Sequence, residues 1–341
     1  MERRSLLVLI SIAAAALAVA AILVSTRGEP SDAAATSPAP AAETTTAPPD
    51  QSTVTSSTVA ESTTSSTEPV NPALTADACA PYASITTAGS VASPALIETS
   101  GIAASRTQTG VLWGHNDSRD GARVYAIGPD GSDLGGYDIA GAFAFDWEDM
   151  AAGPGTDPTT SNLYIGDIGD NFSIRGGRIT VYRVPEPDLE GLEGPLTGTV
   201  ALEFEYPDGS YNAEALFVAE GSIYVVTKDR DEARVYRGSS DGDGSAVEML
   251  ELVTMLTLGA EVSGADVSWD GSTIALRGYK SVWMWRKAQG ATVAEALNGE
   301  PCEAPSPDEV QGEAIAFLSN GGYQTISEGE YPDLYLIPFD A

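Results

Sequence analysis

One short phrase returns five times in this chain. It reads Glu98-Thr99-Ser100-Gly101-Ile102, Asp146-Trp147-Glu148-Asp149-Met150, Asn212-Ala213-Glu214-Ala215-Leu216, Val262-Ser263-Gly264-Ala265 and Gly312-Glu313-Ala314-Ile315. Each copy sets a polar residue ahead of a small or acidic one and then an apolar stretch. Successive copies are 48, 66, 49 and 50 residues apart. A near-constant period of this length is the mark of a radial repeat, and it constrains the fold more than any composition does.

The same events follow each copy. Val111-Leu112-Trp113, Leu163-Tyr164-Ile165, Ile223-Tyr224-Val225-Val226, Thr273-Ile274-Ala275-Leu276 and Tyr323-Gln324-Thr325-Ile326 come first. A second run then ends in Val124-Tyr125, Val181-Tyr182, Val235-Tyr236, Trp283-Met284-Trp285 or Leu334-Tyr335. These runs are rich in β-branched and aromatic residues and are bounded by Gly, Asp, Asn and Ser, so they read as strands. Most units add a fourth run, such as Val200–Phe204. Four strands per unit around an axis make a β-propeller blade, so the fold class is all-β, a five-bladed β-propeller over 78–341. Six blades, the alternative, would need a unit that the repeat does not contain.

The fifth unit supplies only three strands before the chain ends. The segment Ser84–Thr87 precedes the first unit and is expected to complete the fifth blade, closing the ring. Cys79 and Cys302 are the chain's two cysteines, with one intramolecular pairing open to them. A Cys79–Cys302 bridge is expected to pin the closing strand to the last blade; the alternative is two free thiols. Arg123, Arg178 and Arg234 recur before the third strands and are expected to bridge to acids on neighbouring blades. Trp113, Trp269, Trp283 and Trp285 are expected to pack between blades.

The N-terminal part differs. Arg3 and Arg4 precede an apolar run from Leu6 to Val24, long enough to span a bilayer. No small-x-small site follows it, so residues 1–27 read as an uncleaved membrane anchor, with a cleaved signal and a secreted protein as the alternative. Residues 28–77 are mostly Ser, Thr, Ala and Pro, too apolar-poor to offset the entropy of ordering, and read as a disordered stalk. The chain is therefore expected in the cell membrane as a single-pass protein with a monomeric extracellular propeller.

Formal net charge is −32. With no basic stripe to neutralise phosphates, nucleic acid is excluded as a partner. Inner strands line a propeller's channel, so Ser100, Glu148, Glu214, Ser263 and Glu313 should face one another there. Three converging carboxylates repel unless protons or a cation intervene. All five residues offer hard oxygen donors, which suit Ca²⁺. One histidine and two cysteines argue against zinc. The alternative is a hydrated polar channel.

These residues resemble the calcium-activated apyrases, nucleoside diphosphatases built on a five-bladed propeller. The resemblance implies one Ca²⁺ in the central tunnel, held by Ser, Glu, Glu, Ser and Glu in the order of Ser100, Glu148, Glu214, Ser263 and Glu313. Ser100-Gly101-Ile102 leading to Asn116-Asp117-Ser118-Arg119-Asp120-Gly121, and Trp147-Glu148 leading to Leu163-Tyr164-Ile165-Gly166, are similar phrases. A more distant likeness is to phytase-like secreted bacterial propellers. The family's long histidine-bearing insertions around the nucleotide have no counterpart here.

The ends of the second strands should surround one mouth of the channel. They carry Asp117, Asp167, Asp170, Lys228 and Arg277, a candidate set for a small anionic ligand. Carboxylates beside cations suit metal-assisted phosphoryl transfer, whereas Asp170-Asn171 equally suits a turn. Three functions follow: a calcium-dependent phosphohydrolase acting on phosphoesters or nucleotides, a non-catalytic ligand- or protein-binding propeller with structural calcium, or a carbohydrate-active propeller with two carboxylates about 5–10 Å apart.

Overall fold

The structure is a computed structural model that describes residues 77–340 apart from positions 119, 156 and 158. The expected anchor over 1–27 and the stalk up to residue 76 lie outside the described residues. Among the described residues, no helix is long and apolar enough to cross a membrane.

The described residues form five antiparallel sheets arranged as a five-bladed propeller. The first blade contains β2 (Thr99–Ala104), β3 (Leu112–Asn116), β4 (Arg123–Ile127) and β5 (Asp133–Asp138). The second contains β6 (Trp147–Pro154), β7 (Ser161–Asp167), β8 (Arg178–Pro185) and β9 (Val200–Glu205). The third contains β10 (Ala213–Ala219), β11 (Ser222–Thr227), β12 (Ala233–Ser239) and β14 (Glu251–Leu256). The fourth contains β15 (Gly264–Val267), β16 (Thr273–Arg277), β17 (Val282–Arg286) and β18 (Cys302–Ala304). The fifth contains β19 (Gly312–Phe317), β20 (Tyr323–Ser327) and β21 (Asp333–Ile337), completed by β1 (Thr86–Ser90). A short β13 (Glu248–Met249) leaves the third blade and pairs in parallel with β9, adding a fifth strand to the second blade.

The unbroken apolar runs are explained by burial on both faces. Successive side chains of a strand point to opposite faces. In β11, Ile223 and Val225 pack toward the second blade while Tyr224 and Val226 pack toward the fourth. Each of the five apolar clusters fills the seam between two adjacent blades, including the seam from the fifth blade back to the first. Trp113 and Trp147 occupy one seam and Trp283 and Trp285 another. Trp269 does not join them; it is 37% exposed at the end of the channel.

The closing strand pairs with β21, from Thr86 opposite Leu336 to Ser90 opposite Asp333. It therefore runs later than the expected Ser84–Thr87. Gly89 hid it: glycine weakens a strand pattern, yet a Cβ here would stand 1.8 Å from the Asp130 carbonyl oxygen. The disulfide joins Cys79 to Cys302 with Cα atoms 6.0 Å apart. Cys302 lies on the outer strand of the fourth blade, so the bridge fastens the N-terminal segment across the seam between the fourth and fifth blades rather than to the last blade. The three arginines pair within their own blades, Arg123 with Asp138, Arg178 with Glu205 and Arg234 with Glu232. Arg123 and Arg178 thus meet acids on the adjacent strand of their own sheet, and Arg234 meets one two residues before it.

Helix α1 (Val293–Leu297) sits between β17 and β18 and buries Val293 and Leu297 in the seam of the third and fourth blades. Its capping box pairs the Thr292 hydroxyl with the Glu295 amide, and the Glu295 carboxylate with the Thr292 amide.

Candidate metal centre

The repeated polar residues are aimed by a repeated backbone defect. The register of β2 on β3 shifts between Thr99 and Gly101, that of β6 on β7 between Trp147 and Asp149, that of β10 on β11 between Ala213 and Ala215, and that of β19 on β20 between Gly312 and Ala314. The extra residue in each case is Ser100, Glu148, Glu214 or Glu313. In the fourth blade Ser263 donates its amide to Arg277 O at 2.7 Å while Gly264 is also opposite Arg277. A bulge leaves one residue unpaired and bends the strand, which redirects its side chain. All five residues are buried, between 1% and 5% exposed.

Two further tiers flank this one. Asp117, Gly169, Lys228 and Glu328 donate their amides to Glu98, Asp146, Asn212 and Gln311, each two residues before a bulge. The mouth therefore gathers Glu98, Asp117, Asp146, Glu148, Glu214, Glu313 and Glu328 around Lys228, which pairs with Glu214. One oxygen each from Asp117, Asp146 and Glu148 lies within 4.8 Å of the others. Gly169 is the wall behind them: a Cβ there would stand 2.1 Å from Glu148 Oε1 and 2.5 Å from Asp146 Oδ2. Asp117 Oδ1 and Glu313 Oε2 are buried with no hydrogen-bond partner among the described residues.

The electrostatics match this crowding. Burial, then Asp146 and Glu214, push Asp117 up to about 7. Burial and Glu214 hold Glu148 well above the usual carboxylate range. Burial pushes Glu313 up to about 8, although Gln311 donates to it at 2.7 Å. Asp146 and Glu328 are raised, again by burial first. Burial also raises Glu214, against the pull of Lys228 at 2.7 Å. Burial disfavours the Lys228 charge, but Glu214 outweighs it and holds the ammonium above its ordinary value. Raised carboxylates in this number favour neutralisation, whether by protons or by a bound cation. The donor set is all oxygen, preformed and partly unpartnered, and it fits a hard divalent ion.

The structure brings Asp117, Glu148, Glu214 and Glu313 together with Lys228 among them, and gives Asp167, Asp170 and Arg277 partners of their own. The Ser263 hydroxyl donates to Gly312 O at 2.9 Å, and Ser100 is buried at its bulge. Lys228 is bound to Glu214. Asp167 is paired with Arg175 and accepts the Asp146 amide at 3.1 Å. Asp170 accepts the amides of Ile174 and Arg175 and the Ser210 hydroxyl, which makes it the organiser of its own turn. Arg277 is fully buried and paired with Glu309, beneath Gly312, whose Cβ would collide with the guanidinium. His115 is buried against Trp147, with burial pushing it down to about 4. Asp146 was not among the expected residues. Its signal is positional: it stands just ahead of β6, two residues before the bulge, where Glu98, Asn212 and Gln311 stand in their own repeats.

Below the mouth, two more buried carboxylates stitch the inner strands together. Asp149 accepts the Met150 amide at 2.8 Å, the Leu216 amide of the third blade at 2.8 Å and the Ala265 amide of the fourth at 2.9 Å. Burial raises it well above the usual range while these amides pull it down. Asp266 accepts the Val267 amide and, at 2.7 Å, the Phe317 amide of the fifth blade. The innermost strand of each blade is a sheet edge, and these carboxylates satisfy its otherwise unpaired N–H groups.

No family model matches the chain. No curated protein matches it either. Among solved structures it is similar to the PQQ-bound aldose sugar dehydrogenase of Streptomyces coelicolor, at 12% identity and a TM-score of 0.41, covering 74% of this chain and 98% of that one. A gluconolactonase of Xanthomonas campestris is 17% identical, with a TM-score of 0.40 and coverage of 74% and 79%. A protein of unknown function from Bacteroides thetaiotaomicron is 14% identical, with a TM-score of 0.42 and coverage of 74% and 75%.

Proposed function

We propose that this chain is an exported propeller that binds one calcium ion at its acidic mouth and acts as a binding module rather than a hydrolase. The observation that carries the reading is the trio Asp117, Asp146 and Glu148, with one oxygen each within 4.8 Å, beside the unpartnered oxygens of Asp117 and Glu313. Calcium accepts six to eight oxygens in flexible geometry, which a ring of unequal carboxylates can supply. Asp117, Asp146 and Glu148 would hold the ion, with Glu214 and Glu313 as neighbours able to turn toward it. The bound ion would supply the positive charge that these carboxylates otherwise take from protons.

A phosphohydrolase also needs cations free to hold the transferring phosphoryl group. Among the described residues near this mouth, Lys228, Arg175, Arg277 and Lys280 are bound to carboxylates, and Arg230 donates its Nε to Gly259 O at 2.9 Å. That favours binding over catalysis. The disulfide and the apolar run after Arg4 support an oxidising location outside the membrane. Melting the purified propeller with calcium, with magnesium and with chelator tests the reading. Calcium should raise the melting temperature and magnesium should do so less, because magnesium demands a stricter octahedron. A parallel screen against nucleotides, phytate and phosphomonoesters should show no calcium-dependent turnover, and turnover lost in Glu148→Gln would reverse the choice.

A further inference from the structure

The opposite end of the channel holds a second site of another character. Arg106 follows β2, whose first residues lie at the acidic mouth, so the two sites are at opposite ends of one strand. A cleft of about 550 Å³ opens there, lined by Arg106, Ser161, Trp269 and Lys287 among others. Its size is that of a small-ligand pocket. The Arg106 guanidinium lies 4.6 Å from the Trp269 ring centroid and is pinned by its Nε, which donates to Ala152 O at 3.2 Å. Trp269 is fixed in turn, its Nε1 donating to Phe317 O at 3.0 Å. Among the described residues, nothing accepts a hydrogen bond from Nη1 or Nη2 of Arg106.

Glu186 and Asp266 lie near enough to favour the Arg106 charge, but their hydrogen bonds come from other groups. Glu186 accepts from the Arg106 amide, the Ser105 hydroxyl and Trp113 Nε1. Asp266 accepts two backbone amides. Lys287 is held by Glu220 at 2.9 Å and by Ala291 O. Glu220 takes a left-handed φ of 54°, a conformation a residue with a Cβ adopts at some strain and keeps where its surroundings demand it. The cleft thus presents one guanidinium fork with donors to spare and one indole 37% exposed. Ser161 lines the cleft, and its Oγ, buried in the wall, has no hydrogen-bond partner among the described residues. Trp269 also lines a second cleft of about 260 Å³, so a ligand longer than one ring can extend past it.

We propose that this mouth binds a sugar acid of one or two rings carrying a single carboxylate. A planar guanidinium matches a carboxylate in two parallel hydrogen bonds. An indole presents an apolar face with a polar edge, which suits a ring whose C–H groups lie on one side. A single negative charge also limits repulsion from a protein of net charge −32.

The test uses the purified propeller at constant calcium, so its outcome is independent of the metal reading. The probes are a disaccharide carrying one glucuronate and its neutral glucose counterpart. Trp269 is the one solvent-facing indole among the described tryptophans, so its emission and a calorimetric titration both report binding. The acidic probe should bind saturably and roughly tenfold or more tighter than the neutral one. Arg106→Gln should remove that preference, and Arg106→Lys, which keeps the charge but not the fork, should lose most of it. Trp269→Phe should silence the emission change and weaken both probes while the acidic preference remains. Equal affinity for the two probes, no saturable binding of the acidic one, or an unchanged preference in Arg106→Gln or Arg106→Lys would overturn the proposal.

Discussion

Asp149 should be the most sensitive single position in the propeller's inner wall. Its carboxylate reaches from the second blade to amides of the third and the fourth, besides that of Met150. Asp149→Ala strands three buried N–H groups. Each orphaned group costs about 1–3 kcal/mol, so the variant should lose roughly 3–9 kcal/mol. A domain has about 5–15 kcal/mol in total, so this variant sits at the edge of folding. Asp149→Asn is the finer probe. Its amide oxygen can turn toward Leu216 and Ala265, leaving only the Met150 bond unmade. That change should cost about 1.5–3 kcal/mol, or a fall of roughly 3–10 °C in melting temperature. Urea unfolding followed by tryptophan emission measures both. If the asparagine variant is as damaged as the alanine one, or if the alanine variant stays within about 1 kcal/mol of the parent, Asp149 does not hold the blades together in this way.

Two further outcomes follow from the geometry. Cys79→Ser should lower stability by about 5 kcal/mol, from the entropy of a loop spanning 223 residues, and non-reducing unfolding curves should converge with the parent's once reductant is added. The metal-free protein should lose stability as pH rises. Glu313 titrates near 8 when folded against an ordinary 4.5, so the folded state binds the extra proton between those values. Its contribution is complete below about pH 4.5 and is lost toward pH 8 at up to about 1.4 kcal/mol per unit. Saturating calcium should flatten this slope, and a metal-free protein whose stability rises with pH over that window would contradict it.

Much of the propeller was legible in the chain. Runs such as Ile223–Val226 are apolar on both faces because each blade is sandwiched, and that gives a strong strand signal. The inner phrases fell on one tier because four of them carry the same bulge and Ser263 bonds to Arg277 O just ahead of β15. The rest was hidden for physical reasons. Gly89 disguised the closing strand, since it serves a close backbone approach rather than pairing. β13 depends on a detour to a neighbouring blade that no local pattern records. Helix α1 stands outside the strand repeat and carries a local signal of its own, the T-x-x-E capping box of Thr292 and Glu295.

The candidate site was legible as a set of oxygens, not as a geometry. Sequence spacing places residues on tiers but does not say which oxygens meet. Asp146 approaches Glu148 and Asp117, while Lys228 turns to Glu214 and Ser263 turns to Gly312. Those choices depend on how adjacent blades tilt toward one another. Asp149 looked like one more acid beside Glu148. Only its reach to Leu216 and Ala265 separates a structural staple from a ligand.

A calorimetric calcium titration of the metal-free propeller, run beside Asp146→Asn and Glu148→Gln, tests the central claim most directly. Both substitutions keep the shape of the side chain and remove its charge. The account predicts one calcium per chain in the parent, and roughly tenfold or weaker binding in each variant, because each loses one of three converging carboxylates. No heat of binding in the parent, or an unchanged affinity in both variants, would contradict it.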